Sequence, residues 1–215
     1  GNFEAALSSN GSEEQLEFGI AVMATGASPL KPAEYHYGDD PRILSSLELD
    51  RKFIDRDPGL KKLNTAVFIQ CVGSREPQRP YCSRVCCTHS IDNALQLKKL
   101  NPTMSVIILY RDIRTYGERE YLYKEARAAG VIFMRFSPDT KPEVVLEDGK
   151  LLVKTHDPIL GRPVQIETDL LSLATAIIPN KDEQLANFFK VPLNDDGFFC
   201  RTACQTRAIR ICNRR

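Results

Sequence analysis

A long hydrophobic run is the first thing this sequence lacks. No apolar stretch reaches the ~18 residues that a membrane helix needs, and no signal-peptide pattern opens the chain. Excess charge of either sign is also missing. The 29 Lys and Arg stand against 28 Asp and Glu, a balance that argues against a nucleic-acid partner or an acidic membrane surface. These absences predict a cytoplasmic protein without membrane insertion. No initiator Met precedes Gly1-Asn2-Phe3, so the chain reads as a fragment or a trimmed form. What remains is ample for a packed core: 215 residues, 42% hydrophobic and 27% charged, or one to two domains at ~150 residues each.

The even charge balance hides an uneven distribution. Residues 200–215 carry five Arg and no acid, leaving 24 basic and 28 acidic side chains in residues 1–199. The same tail holds Cys200, Cys204 and Cys212, three of the seven cysteines. Codons for Arg201–Arg215 can be chosen so that reading one base later gives ERHAKLAPSEFATDG. With its five Arg, missing acids and surplus cysteines, the tail is read as off-frame or non-native, with Cys200, Cys204 and Cys212 non-native.

Along the chain, residues 1–7 and 15–24 pattern as strands joined by a polar turn over 8–14. Residues 27–43 are rich in Pro, Gly and Tyr and read as an irregular loop. Ser46 reads as the cap of a short helix over 47–54, and DPGLKKLN (57–64) as a domain boundary. TAVFIQC (65–71) then has the continuous apolar run of a parallel strand buried on both faces. Cys87, Ile91, Ala94, Leu95 and Lys98 fall at helical spacing within 84–99, with Lys98 snorkelling. MSVIILY (104–110) is a second strand, GEREYLYKEARAAG (117–130) a helix stopped by Gly130, and VIFMRF (131–136) a third strand.

This is the order of an α/β, Rossmann-like βαβαβ parallel sheet. The apolar period then changes to two over 142–149, 150–157 and 163–176, predicting an antiparallel β-meander with Asp148-Gly149 as a hairpin turn. A weak repeat, ATGASP (24–29) and ATAIIP (174–179), suggests two related nucleotide-binding modules.

The sharpest chemical signal is QCVGSREPQRPYCSRVCCTHS (70–90), in which Cys71, Cys82, Cys86 and Cys87 form a C-x10-C-x3-C-C pattern. Cys71 ends the first parallel strand, at the edge where α/β sheets bind ligands. Cys86 and Cys87 fall in the first turn of the next helix, where free N–H groups and the macrodipole favour thiolates. Arg75, Arg79 and Arg84 add positive charge. Four convergent thiols make a soft-ligand site suited to an iron–sulfur cluster or zinc. The alternatives are a disulfide or redox-thiol pair, and buried cysteines acting as small hydrophobes. The G-x-G-x-x-G turn of a dinucleotide site does not follow this strand; Cys71-Val72-Gly73 stands in its place, which predicts no tight NAD(H) binding by the isolated chain.

At these residues the sequence resembles the A-type subunit of heterodisulfide reductase and the related flavoprotein subunits of sulfate-reducing organisms. The resemblance runs through IQCVGSREPQRPYCSRVCCTHSIDNAL (69–95), LYRDIRTYGEREYLYKEARAAGVIFMRF (109–136), ATGASPLKPAEYHYGD (24–39) and KVPLNDDGFF (190–199). It implies an oxidoreductase that transfers electrons through FAD and a 4Fe–4S cluster, on a thioredoxin-reductase-like core, within a complex of other heterodisulfide reductase-type subunits and electron carriers. It also implies that Cys71, Cys82, Cys86 and Cys87 are the cluster's ligands, close to the flavin, and that the shifted string of the tail continues the chain after DGFF.

The implied organisation is the C-terminal part of a FAD-binding module with its linker (1–64), a Rossmann-like module carrying the cysteines (65–180), a return to the FAD module (181–199), and the tail (200–215). The family's N-terminal G-x-G-x-x-G is absent, and Ala176 replaces the glycine of the second ATG-like motif. Thr25 and Gly26 are thus this chain's main contribution to a FAD site. The isolated piece is expected to be inactive and to hold no FAD. The competing class is a zinc-stabilised or metal-free subunit-docking module.

The other polar candidates read as structural. His36, His89 and His156 form no H-x-x-H or Cys-His-Asp order, although His89 lies three residues beyond Cys86, where it could donate to a cluster ligand. Glu118 and Glu120 suit a helix start, and Tyr110, Tyr116, Tyr121 and Tyr123 suit packing or docking.

Overall fold

A computed structural model describes residues 3–180 and 182–200. The off-frame reading of the tail, with Cys204 and Cys212, falls outside them. In chain order the elements are β1 (Phe3–Ser9), β2 (Ser12–Phe18), β3 (Ala27–Pro29), β4 (Ile43–Ser45), α1 (Ser46–Ile54), β5 (Thr65–Val72), α2 (Cys86–Leu100), β6 (Ser105–Tyr110), α3 (Glu120–Ala128), β7 (Ile132–Arg135), β8 (Glu143–Glu147), β9 (Lys150–Asp157), β10 (Arg162–Glu167), β11 (Leu170–Thr175), β12 (Ile177–Pro179) and α4 (Glu183–Phe189). The described residues divide into two compact units: 29–177, and 3–28 together with 178–180 and 182–200.

The larger unit is built on five parallel strands in the order β4–β11–β5–β6–β7. Alternation along the strands sorts their side chains into two cores. Ala66, Phe68, Val106, Ile108 and Leu170 pack against Leu49 of α1, Ile91, Ala94, Leu95 and Leu97 of α2 and Ala126 of α3. Val67, Ile69, Ile107, Leu109, Leu171 and Leu173 pack instead against Val144, Leu151 and Val153 of the antiparallel sheet β10–β9–β8. The result is three layers: helices, parallel sheet, antiparallel sheet. Both faces of the middle layer are covered, so its strands read as unbroken apolar runs. Each fully buried Leu or Phe contributes about 1.5–3 kcal/mol relative to an exposed one.

Strand, helix, strand, helix, strand over 65–135 follows the expected order. Lys98 does reach out, its ammonium donating to Pro102 O and Met104 O at 2.7 and 2.9 Å. The apolar run 163–176 is not one strand. It breaks at Thr168-Asp169, where Thr168 Oγ1 and Asp169 N both donate to Thr65 O, at 3.1 and 3.0 Å. The first half closes the meander as β10; the second crosses into the parallel sheet as β11. The α1 cap is Ser45 rather than Ser46. Ser45 forms a reciprocal capping box with Glu48, whereas Ser46 Oγ donates to Leu173 O at 3.4 Å. DPGLKKLN forms a 3-10 turn over Pro58–Lys62 whose Leu60 is buried in the helix-side core.

In the smaller unit β1 and β2 pair as a hairpin through Asn10-Gly11, both at positive φ as a two-residue turn requires. The Phe3 ring stacks on Phe18 at 5.3 Å and meets Phe189 of α4 at 6.2 Å. Asp182 caps α4 by accepting from Leu185 N. Among the described residues no helix is long and apolar enough to cross a membrane.

Candidate metal centre

The carboxyl edge of the parallel sheet is where its backbone departs from regularity. β11 and β5 are in register up to Leu173 opposite Ile69, but Thr175 then faces Val72, so two residues, Gln70 and Cys71, stand opposite Ala174. A bulge of this kind re-aims a side chain. Val72, not Cys71, continues the Val67 and Ile69 face towards the meander. Cys71 sits at φ +63°, a left-handed conformation that costs a residue with a Cβ of order 1 kcal/mol. Gly73 follows at φ +69°, where any Cβ would collide with Leu30.

The chain then folds back on itself. Arg75 N donates to Tyr81 O, Glu76 and Arg79 bridge, and Arg79 Nε donates to Gly73 O at 2.6 Å. The Tyr81 hydroxyl donates to Ile177 O, and Ile177 N donates to Ser83 Oγ. This loop returns Cys82 to the end of β5, with Arg84 N donating to its sulfur at 3.4 Å. Cys86 and Cys87 open α2, whose cap residue Val85 supplies no side-chain acceptor.

All four cysteines are free; Cys71, Cys86 and Cys87 are buried and Cys82 is half-buried. They share one electrostatic neighbourhood: negative charge on Cys71 or Cys82 raises the pKa of both Cys86 and Cys87. The expectation that the helix start favours thiolates is corrected. Burial dominates, pushing Cys86 up to about 12 and Cys87 up to about 11. Cys71 is also raised by burial, against the opposing charges of Arg75 and Arg111. Without a metal these groups are neutral thiols, because a buried thiolate loses more hydration than one helix terminus restores.

The residues that follow β6 close the site, and they were not singled out in the sequence. Cys87 Sγ donates to Asp112 O at 3.8 Å, and the Arg114 backbone works against the rise of the Cys87 pKa. The Asp112 carboxylate pairs with Arg75 and, at 3.0 Å, with Arg114. Burial pushes Asp112 up, but hydrogen bonds from Arg114 and Arg75 hold it below the usual carboxylate range. Arg111, buried, pairs with Glu76, which Lys141 also meets at 2.9 Å. LYRDIRTY carried a signal for this group: a charged run directly after a buried strand must emerge at the edge where β5 ends.

Of the predicted cations, Arg75 reaches Cys71, whereas Arg79 serves its own loop and Arg84 contributes its backbone. His89 turns to α1, its Nε2 lying 2.7 Å from Asp50 Oδ2. Thr25 and Gly26 lie in the smaller unit. There Asn180 Nδ2 donates to Thr25 O at 3.0 Å beside a cavity of about 200 Å³ lined by Met23, Ala24, Pro179 and Phe198. Ligand cavities run ~300–1,000 Å³, so this one is too small to enclose a whole ligand of that class.

Among the described residues no three His, Cys, Asp or Glu side chains stand at metal-ligating geometry. In number and kind the four thiols fit a thiophilic cluster: all sulfur, none bridged, ringed by fixed cations and an uncapped helix end. Loading requires the sulfurs to lose their protons and close on the metal.

In layers and strand order the larger unit is a Rossmann-like α/β module, and comparison with solved structures gives the same class. The chain is similar to thioredoxin reductase from T. acidophilum (TM-score 0.51, 15% identity, 90% of this chain and 57% of that one). It is also similar to the Cu(II) complex of a cysteine-to-serine mutant of RclA, an HOCl-induced flavoprotein disulfide reductase from Escherichia coli (TM-score 0.50, 13% identity, 92% of this chain and 38% of that one). At these identities the likeness is one of fold. No family model matches the chain.

Sequence relatives are more particular. The chain is 34% identical over 207 residues to the A-type iron-sulfur subunit of the CoB–CoM heterodisulfide reductase of Methanocaldococcus jannaschii, covering 87% of this chain and 31% of that protein. It is 31% identical over 217 residues to the A-type subunit of the H2:CoB-CoM heterodisulfide,ferredoxin reductase of Methanothermobacter thermautotrophicus, covering 92% of this chain and 32% of that protein. The chain is a relative of one segment of the heterodisulfide reductase A-type subunit, about a third of the length of the curated proteins it matches.

Proposed function

We propose that this chain is the electron-transfer segment of an oxidoreductase like the A-type subunit of heterodisulfide reductase, and that Cys71, Cys82, Cys86 and Cys87 ligate a 4Fe–4S cluster in the intact protein. One observation carries the reading: four free thiols from a strand end, a folded-back loop and a helix start share one charge neighbourhood at the carboxyl edge of the sheet. The name of the M. jannaschii relative, an iron-sulfur subunit, supports it.

When bound, such a cluster takes up and releases single electrons. The protein's part is to supply four soft ligands, shield them from water, and offset their charge with Arg75, Arg111 and Arg114. Thr25 and Gly26 contribute to a FAD site that other parts of the intact protein complete, and FAD exchanges electrons with the cluster. Electron carriers and the other subunits of a heterodisulfide reductase-type complex are the partners, in the cytoplasm.

Absorption spectra and iron analysis of the anaerobically purified full-length protein test this. Thiolate-to-iron charge transfer gives a broad visible band, beside that of any flavin, that falls together with the iron by one cluster's share in Cys→Ser variants. Stoichiometric zinc in place of iron would instead support the subunit-docking reading.

A further inference from the structure

The loop after β6 is tied to the cysteine site by side-chain and backbone bonds at once. Asp112 accepts from Cys87 Sγ through its carbonyl and from two arginines through its carboxylate: Arg75 on Oδ1, Arg114 Nε and Arg114 NH2 on Oδ2 at 3.2 and 3.0 Å. The Arg75 guanidinium opposes, by its charge, the rise that burial imposes on the Cys71 thiol, and the Arg114 backbone does the same for Cys87. Arg114 also feels the charge of Cys82. An ordinary surface pair such as Lys150–Glu167, with both partners more than half exposed, touches no third group and is worth little. Two arginines against one aspartate leave one uncompensated positive charge beside the thiols.

We propose that Asp112 is a positioning residue which holds the guanidiniums of Arg75 and Arg114 against the four-cysteine site, and that this pair raises the reduction potential of the cluster the site carries. The proposal rests on the cluster reading above. Reduction adds one electron, makes and breaks no bond, and lowers the cluster's charge by one. A cation fixed nearby favours that state, and arginine is charged at every working pH. Asp112 bears a negative charge of its own, so its direct field and its positioning act in opposite directions.

That opposition makes the test decisive. In the anaerobic full-length protein, the paramagnetic signal of the reduced cluster is followed during titration with dithionite, with iron content measured beside it. Arg75→Gln and Arg114→Gln should each lower the midpoint by the equivalent of at least a tenfold change in the reduction equilibrium, about 59 mV for one electron. Arg75→Lys, which keeps the charge, should recover most of it and serves if Arg75→Gln loses iron. Asp112→Asn should also lower the midpoint, although deletion of a negative charge alone would raise it. Lys150→Gln should change nothing.

Unchanged midpoints in both Gln variants, or a rise in Asp112→Asn, would overturn the clamp and leave the cluster standing. Cys→Ser variants whose signal and iron content both equal those of wild type would overturn the cluster reading, and the clamp with it.

Discussion

The two ends of the parallel sheet are built by opposite rules. At the amino edge, backbone groups find ordinary partners. Asp169 accepts from Asn64 N and Thr65 N at 2.7 and 3.0 Å, Thr168 Oγ1 donates to Thr65 O and Leu170 O, and Asn101 Nδ2 donates to Leu63 O. At the carboxyl edge Cys71, Arg75 and Arg84 lie at positive φ, a bulge breaks the ladder, and Gln70 and Ser74 bury side-chain polar atoms without a protein partner. Both edges belong to the same strands, so composition does not account for the difference. One end closes the fold; the other holds four thiols and opposed charges in a conformation that the rest of the sheet must stabilise.

The largest effect that separates the ends lies within β5 itself. Phe68, fully buried on the helix side, should cost about 3–5 kcal/mol as Phe68→Ala. Three residues on, Cys71→Gly in the metal-free chain should stay within about 1 kcal/mol of neutral, because glycine relieves the left-handed backbone while a small buried side chain is lost. Denaturant titration of both variants checks the pair. At the amino edge, Asp169→Ala strands two backbone N–H groups and should cost about 1 kcal/mol by the same measurement.

A smaller effect is acid sensitivity near the β4 side. Hydrogen bonds from Arg42 hold Asp40 below the usual carboxylate range. A folded pKa below the unfolded value gives stability that is present above the unfolded pKa of ~3.9 and lost as pH falls through the folded one. Thermal melts between neutral pH and pH ~3 should therefore decline more steeply in wild type than in Arg42→Gln.

The parallel unit was legible because its strands are covered on both faces and carry unbroken apolar runs, as TAVFIQC and MSVIILY do. The β10–β11 boundary was not, since Leu170–Thr175 is as apolar as a meander strand and the bonds from Thr168 Oγ1 and Asp169 N to Thr65 O show where the chain changes sheet. The four cysteines announced themselves by type and spacing. Their protonation did not, because burial is a property of the packed core and outweighs the helix terminus that sequence alone reveals. Asp112 and Arg114 were hidden for a related reason: they reach the cysteines only once β6 lies beside β5.

The most direct test of the central claim is anaerobic iron and sulfide reconstitution of the full-length protein carrying Cys71→Ala with Cys86→Ala, beside Lys150→Gln at an exposed surface pair. Any other cluster the full chain carries is common to every variant, so the difference isolates this site. The account predicts that the double variant holds about four fewer irons than wild type, one cluster's complement, while Lys150→Gln loads as wild type does. Equal loading of the double variant and wild type would contradict it.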